Sequence, residues 1–162
     1  PLCGCVGSFQ IHPKELGKTS VIVLAGCSLA KMEAAKAELD ELGVESCLCK
    51  TDIADRAQVQ ALADDAASLG DVTQVIHTSG VSPSDTATEN IMKLNAAGTV
   101  NMVEAFYPVL AEGGVMINFS SVAAYTMPQT DEWTQAFEAW NEPDFYDRLL
   151  ALVWPMPCPR SL

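Results

Sequence analysis

The chain has 162 residues, 49% of them apolar, and sets nine Lys and Arg against 21 Asp and Glu for a formal net charge of −12. This length and apolar content suit one core in one domain and exclude a disordered chain, while the acidic balance disfavours binding to nucleic acid or anionic lipid through a broad basic surface. No apolar run approaches the roughly 20 residues that span a bilayer, and no basic start precedes an apolar stretch, so the sequence predicts a cytoplasmic protein with neither a membrane nor a nucleic-acid partner.

Residues 1–20 are the hardest to place. Gly4 and Gly7 suit a turn that brings backbone close to a phosphate, and a surface loop with incidental glycines fits them equally well. Pro13 interrupts any helix here by removing a backbone donor. From Thr19 the pattern sharpens. Val21, Ile22, Val23, Leu24 and Ala25 form an apolar strand ending at Gly26, and Ser28 is placed to cap a helix over about 29–42. Met32, Ala35, Leu39 and Leu42 lie on one stripe of that helix, with Gly43 as its stop.

Residues 44–50 form the next strand, followed by Thr51, Asp52 and Ile53. Asp55 and Gln58 have capping-box spacing, and Val59, Leu62, Ala66 and Leu69 recur at helical period before Gly70. Residues 71–76 supply another strand, ending in His77-Thr78-Ser79-Gly80. His77, a lone histidine at a strand end, is read as a polar core or turn residue.

After a polar loop at 82–88, one continuous helix is expected over about 89–111, some 35 Å long at about 1.5 Å per residue. It carries Met92, Asn95, Thr99 and Met102 down one side. A mid-helix asparagine costs helix propensity, which points to a specific partner for Asn95. Gly113 and Gly114 then precede Val115-Met116-Ile117-Asn118-Phe119, a strand expected to be buried on both faces. Ser120 and Ser121 fall at its C-terminal edge, where open parallel sheets hold their ligands. Two serines alone would equally well cap or turn the chain. An amphipathic helix over 130–141 presents Trp133, Phe137 and Trp140, and Pro143-Asp144 begins another with Phe145, Leu149 and Leu152. The prolines at 155, 157 and 159 end the chain in a frayed tail.

Six cysteines, at 3, 5, 27, 47, 49 and 158, include two Cys-x-Cys pairs. Structural zinc sites use longer spacers, so no metal is assigned, and Cys47 and Cys49 read as buried strand filling. With no secretion signal, a disulfide framework is not expected.

The alternation predicts an α/β fold: an incomplete doubly wound parallel sheet of Rossmann-like βαβ units over 1–125, a helical insertion-like segment of the same domain over 126–153, and the tail at 154–162. Five motifs in this order resemble the short-chain dehydrogenase/reductase family. They are Val23-Leu24-Ala25-Gly26-Cys27-Ser28, Asp52-Ile53, His77-Thr78-Ser79-Gly80, the Asn95 to Gly98 segment, and Asn118-Phe119-Ser120-Ser121. Gly4 and Gly7 resemble the family's glycine-rich turn only in part.

The resemblance implies a bound NAD or NADP and a small carbonyl or alcohol substrate. It implies cofactor contacts from Gly4, Gly7, Cys27, Ser28, Asp52, Ile53, Thr78, Ser79 and Gly80, with catalytic roles for Asn95 and Ser121. Asp52 would accept from the adenine amino group, and Ser121 would polarise the substrate oxygen. Where NADP-preferring relatives carry arginine this chain has Cys27, which leaves cofactor preference open.

The family also uses a tyrosine whose pKa is lowered by a lysine four residues on, because a phenol near pKa 10 is a poor base at neutral pH. Here Tyr107 is followed at that spacing by Ala111, Tyr125 by Gln129 and Tyr146 by Leu150. Two readings follow. One is a truncated, inactive short-chain oxidoreductase that homo-oligomerises or associates through exposed edges. The other is a non-catalytic Rossmann-like module that binds a nucleotide or a partner chain.

Overall fold

The computed structural model of the chain describes residues 21–82, 86–125 and 130–153. Strand β1 (Ile22–Gly26), helix α1 (Leu29–Glu41) and strand β2 (Ser46–Lys50) form a first βαβ unit. The two strands are parallel and in register from Ile22↔Ser46 to Gly26↔Lys50. Met32 is fully buried beneath α1, whereas Leu42, expected on the same stripe, is 56% exposed. It stands just past the last helical turn, where the chain turns at Gly43 (φ 72°). Lys36 joins α1 to β2, donating to Asp40 Oδ1 (2.9 Å) and to the Ser46 carbonyl (3.1 Å).

Helix α2 (Arg56–Leu69) starts as its sequence predicts. The Asp55 carboxylate accepts from the backbone amides of Ala57 (3.0 Å) and Gln58 (3.2 Å). Gln58 donates back to Asp55 Oδ2, and its Oε1 accepts from the amide of Asp52 at 3.0 Å. The cap of α2 thus holds the loop at the end of β2. Val59, Leu62 and Ala63 turn inward, completely or nearly buried.

Strand β3 (Val72–His77) pairs in parallel with β4 (Leu110–Asn118). Among the described residues the sheet is therefore two parallel pairs, β1-β2 and β3-β4, rather than one continuous sheet. The two pairs share a core: Val59, Leu62, Ala63, Val75, Met102, Ala105 and Phe106 pack with Val23, Ala25 and Cys49 of the first pair and Val72, Leu110 and Met116 of the second. Arg56 reaches Glu104 at 2.9 Å, tying α2 to α4.

Three expectations change here. The helix over 89–111 divides into α3 (Thr88–Ile91), a π-helical stretch (Met92–Ala97) and α4 (Gly98–Phe106), and closes in a 3₁₀ turn (Tyr107–Val109). Pro108 has no N–H to continue the helix, so strand begins at Leu110. Gly113 and Gly114 do not precede the strand but lie inside it. From Val72↔Leu110 to Gln74↔Val115, β4 advances further than β3, and the bulge needs Gly113 at φ 77° and Gly114 where a Cβ would lie 2.9 Å from the Ala111 carbonyl. Third, among the described residues β4 is covered on one face only. Met116 packs on the core, while Val115, Ile117 and Phe119 are 49%, 46% and 49% exposed.

Helices α5 (Asp131–Glu138) and α6 (Phe145–Val153) form the C-terminal pair. The Thr130 hydroxyl caps α5 by accepting from the Trp133 amide at 3.4 Å. Trp133, Phe137 and Phe145 form a ring chain with centroids 6.0 and 6.2 Å apart. Ala136, Phe145 and Leu149 bury against Met92, Ala96 and Val100 of the π-helix and α4. Among the described residues no helix is long and apolar enough to cross a membrane. The expected tail at 154–162 lies outside the described residues.

Candidate functional site

The C-terminal ends of β1, β2 and β3 open onto a cavity of about 230 Å³. Gly26 and Cys27 line it from β1, Thr51 to Ala54 from β2, and Ser79 to Val81 from β3, while Thr86, Asn90, Lys93 and Leu94 close it from the loop and helix after β3. Strand ends supply it for the reason parallel sheets generally do: every crossover helix leaves from the same edge, and loops there are free of the pleat.

Of the residues picked from sequence, Cys27, Asp52, Ile53, Ser79 and Gly80 meet at this cavity. Asp52 Oδ1 accepts from the Ala54 amide at 2.9 Å. Ile53 is 9% exposed, so its side chain belongs to the floor, against Gly98, and its carbonyl accepts from Asn101 Nδ2 at 2.9 Å. Ser28 sits at the N-cap of α1 with no capping bond from its side chain. Ser28 and Thr78 are not among the lining residues, and Gly4 and Gly7 lie outside the described residues. Cys27 is disulfide-bonded, against expectation, because a chain start says nothing of which sulfurs the fold brings together. Cys47 and Cys49 are free and partly buried.

Asn95 finds the partner its position called for. Its Oδ1 accepts from the Val81 amide at 2.9 Å and its Nδ2 donates to the Val81 carbonyl at 2.8 Å. The amide thereby clamps the strand-end loop from both sides, and a Cβ at Gly80 would stand 3.4 Å from Oδ1. π-Helical geometry, uncommon and frequent at functional sites, carries this residue. The stripe expected along one helix is shared among neighbours. Met92 packs on the C-terminal helices, Asn95 holds Val81, and Met102 enters the main core.

The fourth member of the stripe, Thr99, donates to the Asn95 carbonyl at 2.9 Å and lies 3.2 Å from His77 Nε2. With the hydroxyl proton already given, Thr99 accepts, which assigns the imidazole proton to Nε2. His77 is 3% exposed, and burial lowers its pKa from the ordinary 6.5. The sign follows from linkage: unfolded chains bind this proton more readily, so the stability due to His77 is complete above pH 6.5 and lost as pH falls through the folded-state value. Urea titrations at pH 7.5 and pH 5 are expected to show a loss on acidification that is smaller in His77→Gln; an equal loss would exclude His77 as its source.

Ser121 is exposed at the end of β4 and does not line the cavity. Its carbonyl accepts from the Ala124 amide at 3.1 Å, opening a 3₁₀ turn at Val122–Tyr125. Asp52 and Gly80 thus share one cavity, Asn95 reaches it through Val81, and Ser121 stands one strand away. Sequence reasoning did not assign the other lining residues, Gly26, Thr51, Ala54, Val81, Thr86, Asn90, Lys93 and Leu94, to the site. Asn90, Lys93 and Leu94 are three and four residues apart, a one-face helical spacing that could have marked them.

The Asn95→Ala variant is expected to lose about 1 kcal/mol of stability, the low end for two solvent-accessible hydrogen bonds. The decisive measurement is exchange of the Val81 amide proton, expected to accelerate at least tenfold; unchanged protection would remove the clamp.

A model of the short chain dehydrogenase family matches residues 14–133. The chain belongs to the short-chain dehydrogenase family. A short-chain dehydrogenase/reductase of Alternaria brassicicola is 27% identical over 128 residues, 79% of this chain and 47% of that protein. Among solved structures, a short-chain dehydrogenase/reductase from Burkholderia phymatum in complex with NAD superposes with a TM-score of 0.58 at 23% identity, covering 82% of this chain and 48% of that one. A blue fluorescent protein from a metagenomic library, in complex with NADPH, gives 0.56 at 21% identity over 68% of this chain and 49% of its own. This short-chain dehydrogenase chain spans about half the length of these relatives, and the structural likenesses speak to a shared Rossmann-like fold.

Proposed function

We propose that this chain carries the nucleotide-binding part of an NAD(P)-dependent short-chain oxidoreductase acting on a small carbonyl or alcohol. The observation that carries the reading is the cavity at three parallel strand ends, with the Asp52 carboxylate at one wall and backbone of Gly80 at another. At about 230 Å³ it fits the adenosine half of a dinucleotide. Asp52 would accept from an adenine amino group, and Gly26 and Gly80 would present backbone to the nucleotide. Bound, the nicotinamide supplies or accepts the hydride. Asn95 shapes the loop that the ribose would contact, and Ser121 is the group that would donate to a substrate oxygen. In this reading residues 1–125 form the nucleotide domain with 126–153 as its helical insertion, and the protein is cytoplasmic.

No tyrosine in the chain is followed four residues later by lysine. The chain alone is therefore expected to bind cofactor without turnover. A second reading is a Rossmann-like module that only binds a nucleotide or a partner chain. Fluorescence titration with NADH and NADPH tests the shared claim: saturable binding of either supports it, and no response to both overturns it. The coding sequence after Leu162 separates the two readings, since a Tyr-x-x-x-Lys there selects the oxidoreductase and an immediate stop selects the module.

A further inference from the structure

We infer that His77 is a positioning residue for the cavity wall: its neutral side chain, acting through Thr99 and Asn95, holds the loop over 79–81 in place, and protonating it releases that loop.

The loop is anchored at both ends to one helical segment. His77 precedes it and Val81 closes it four residues on, while Asn95 and Thr99 stand four apart on the segment that faces it. Both backbone groups of Val81 bond to the Asn95 side-chain amide, at 2.9 and 2.8 Å. The Asn95 carbonyl accepts from the Thr99 hydroxyl at 2.9 Å, and that hydroxyl in turn accepts from His77 Nε2 at 3.2 Å. The bonds thus leave β3 at His77 and return to its loop at Val81. Ser79, Gly80 and Val81, which line the cavity, are held between the two anchors. The turn that carries Asn95 is π-helical, the Gly98 amide reaching the Lys93 carbonyl, and the Thr99 hydroxyl bonds across it.

β3 itself is fixed from the other side. The His77 carbonyl accepts from the Phe119 amide at 3.0 Å, and pairing with β4 runs up to His77↔Asn118. Any yielding therefore falls to the helix side, where Asn95 is exposed.

A charge on the imidazole would find no counter-charge there. β4 and α4 are the elements packed most against β3. The ionisable residue of β4, Glu112, lies in the bulge at the opposite end of the strand, and that of α4, Glu104, is paired with Arg56 at 2.9 Å. β3 has no ionisable residue besides His77, and Lys93 of the π-helical stretch lines the cavity. A buried cation without a carboxylate must draw in water, which separates the groups packed around it. Burial accordingly lowers the His77 pKa from 6.5, so the wall is fully held above that pH and released as pH falls through the folded-state value. A ligand seated against the loop is bound less tightly in acid.

The test is an NMR pH titration of the whole chain without nucleotide, so failure of the nucleotide reading leaves it standing. The Val81 amide and the Asn95 side-chain amide are expected to shift with the midpoint of the His77 ring. Exchange of the Val81 amide, corrected for its intrinsic pH dependence, is expected to accelerate at least about tenfold from pH 7.5 to pH 5. His77→Gln keeps a donor for Thr99 without ionising and is expected to abolish both responses. Thr99→Val is expected to leave the His77 titration in place but uncouple Val81 from it, and Thr99→Ser to keep the coupling. The chain has two histidines, and His12→Gln, the control, is expected to change neither response. Val81 and Asn95 resonances that ignore the His77 midpoint, or that still follow it after Thr99→Val, overturn the inference. Loss of protection throughout the chain at pH 5 overturns it as well, because the geometry requires release of this loop alone. Should Thr99→Val fail to fold by circular dichroism, the His77→Gln titration decides by itself.

Discussion

Leu149→Ala is expected to destabilise the protein by about 2–5 kcal/mol, the range for truncating a fully buried leucine whose surroundings cannot close over the void. Leu149 is 0% exposed and sits between Ala136 and Phe145 of the C-terminal pair and Met92, Ala96 and Val100 of the long helical segment. Against a total stability of about 5–15 kcal/mol, that loss is severe, and it falls where α6 braces the π-helix bearing Lys93 and Asn95. Denaturant unfolding followed by far-UV circular dichroism measures it. Leu42→Ala is the companion experiment, expected within about 0.5 kcal/mol of the parent because that leucine is exposed. Equal costs at the two sites would show that the burial described for α6 does not exist in solution.

Gly98→Val is expected to cost about 1–3 kcal/mol and to weaken nucleotide binding at least tenfold. A Cβ at Gly98 would come within 2.8 Å of Ile53 Cδ1 and 3.0 Å of its Cγ1. Ile53 is buried and its carbonyl is tied to Asn101, so it has little room to retreat, and any retreat moves the cavity floor. Alanine at Gly98 makes the same first contact without the β-branch and gains about 1 kcal/mol of helix propensity over glycine, so its stability change is expected to be smaller. Calorimetric melts combined with NADPH titration separate the two effects. A Gly98→Val chain with parental melting temperature and affinity would mean that α4 and β2 do not meet at this point.

The exposed stripe of Val115, Ile117 and Phe119 shows where local pattern misleads. A run of apolar residues specifies strand, since β-branched side chains fit the pleat, but it does not state how many layers will cover that strand. In this chain α2 and α4 pack on one face of β3-β4 and the described residues leave the other open. The division of the 89–111 segment is similar. Helical period runs from Met92 to Met102, and Pro108, which lacks the N–H to continue it, ends the helix before Leu110.

Sequence alone determined the order of strands and helices, the cap at Asp55 and the family, because these follow from period, capping chemistry and short motifs that act within a few residues. Tertiary structure decided what depends on contacts between distant segments. Among the described residues it paired β1 with β2 and β3 with β4, set Gly113 and Gly114 in a bulge, turned Asn95 towards Val81, buried His77 against Thr99, and brought Lys93 to the same cavity as Cys27 and Asp52. No local signal carries such facts, since each is settled by which element arrives to fill the space beside another.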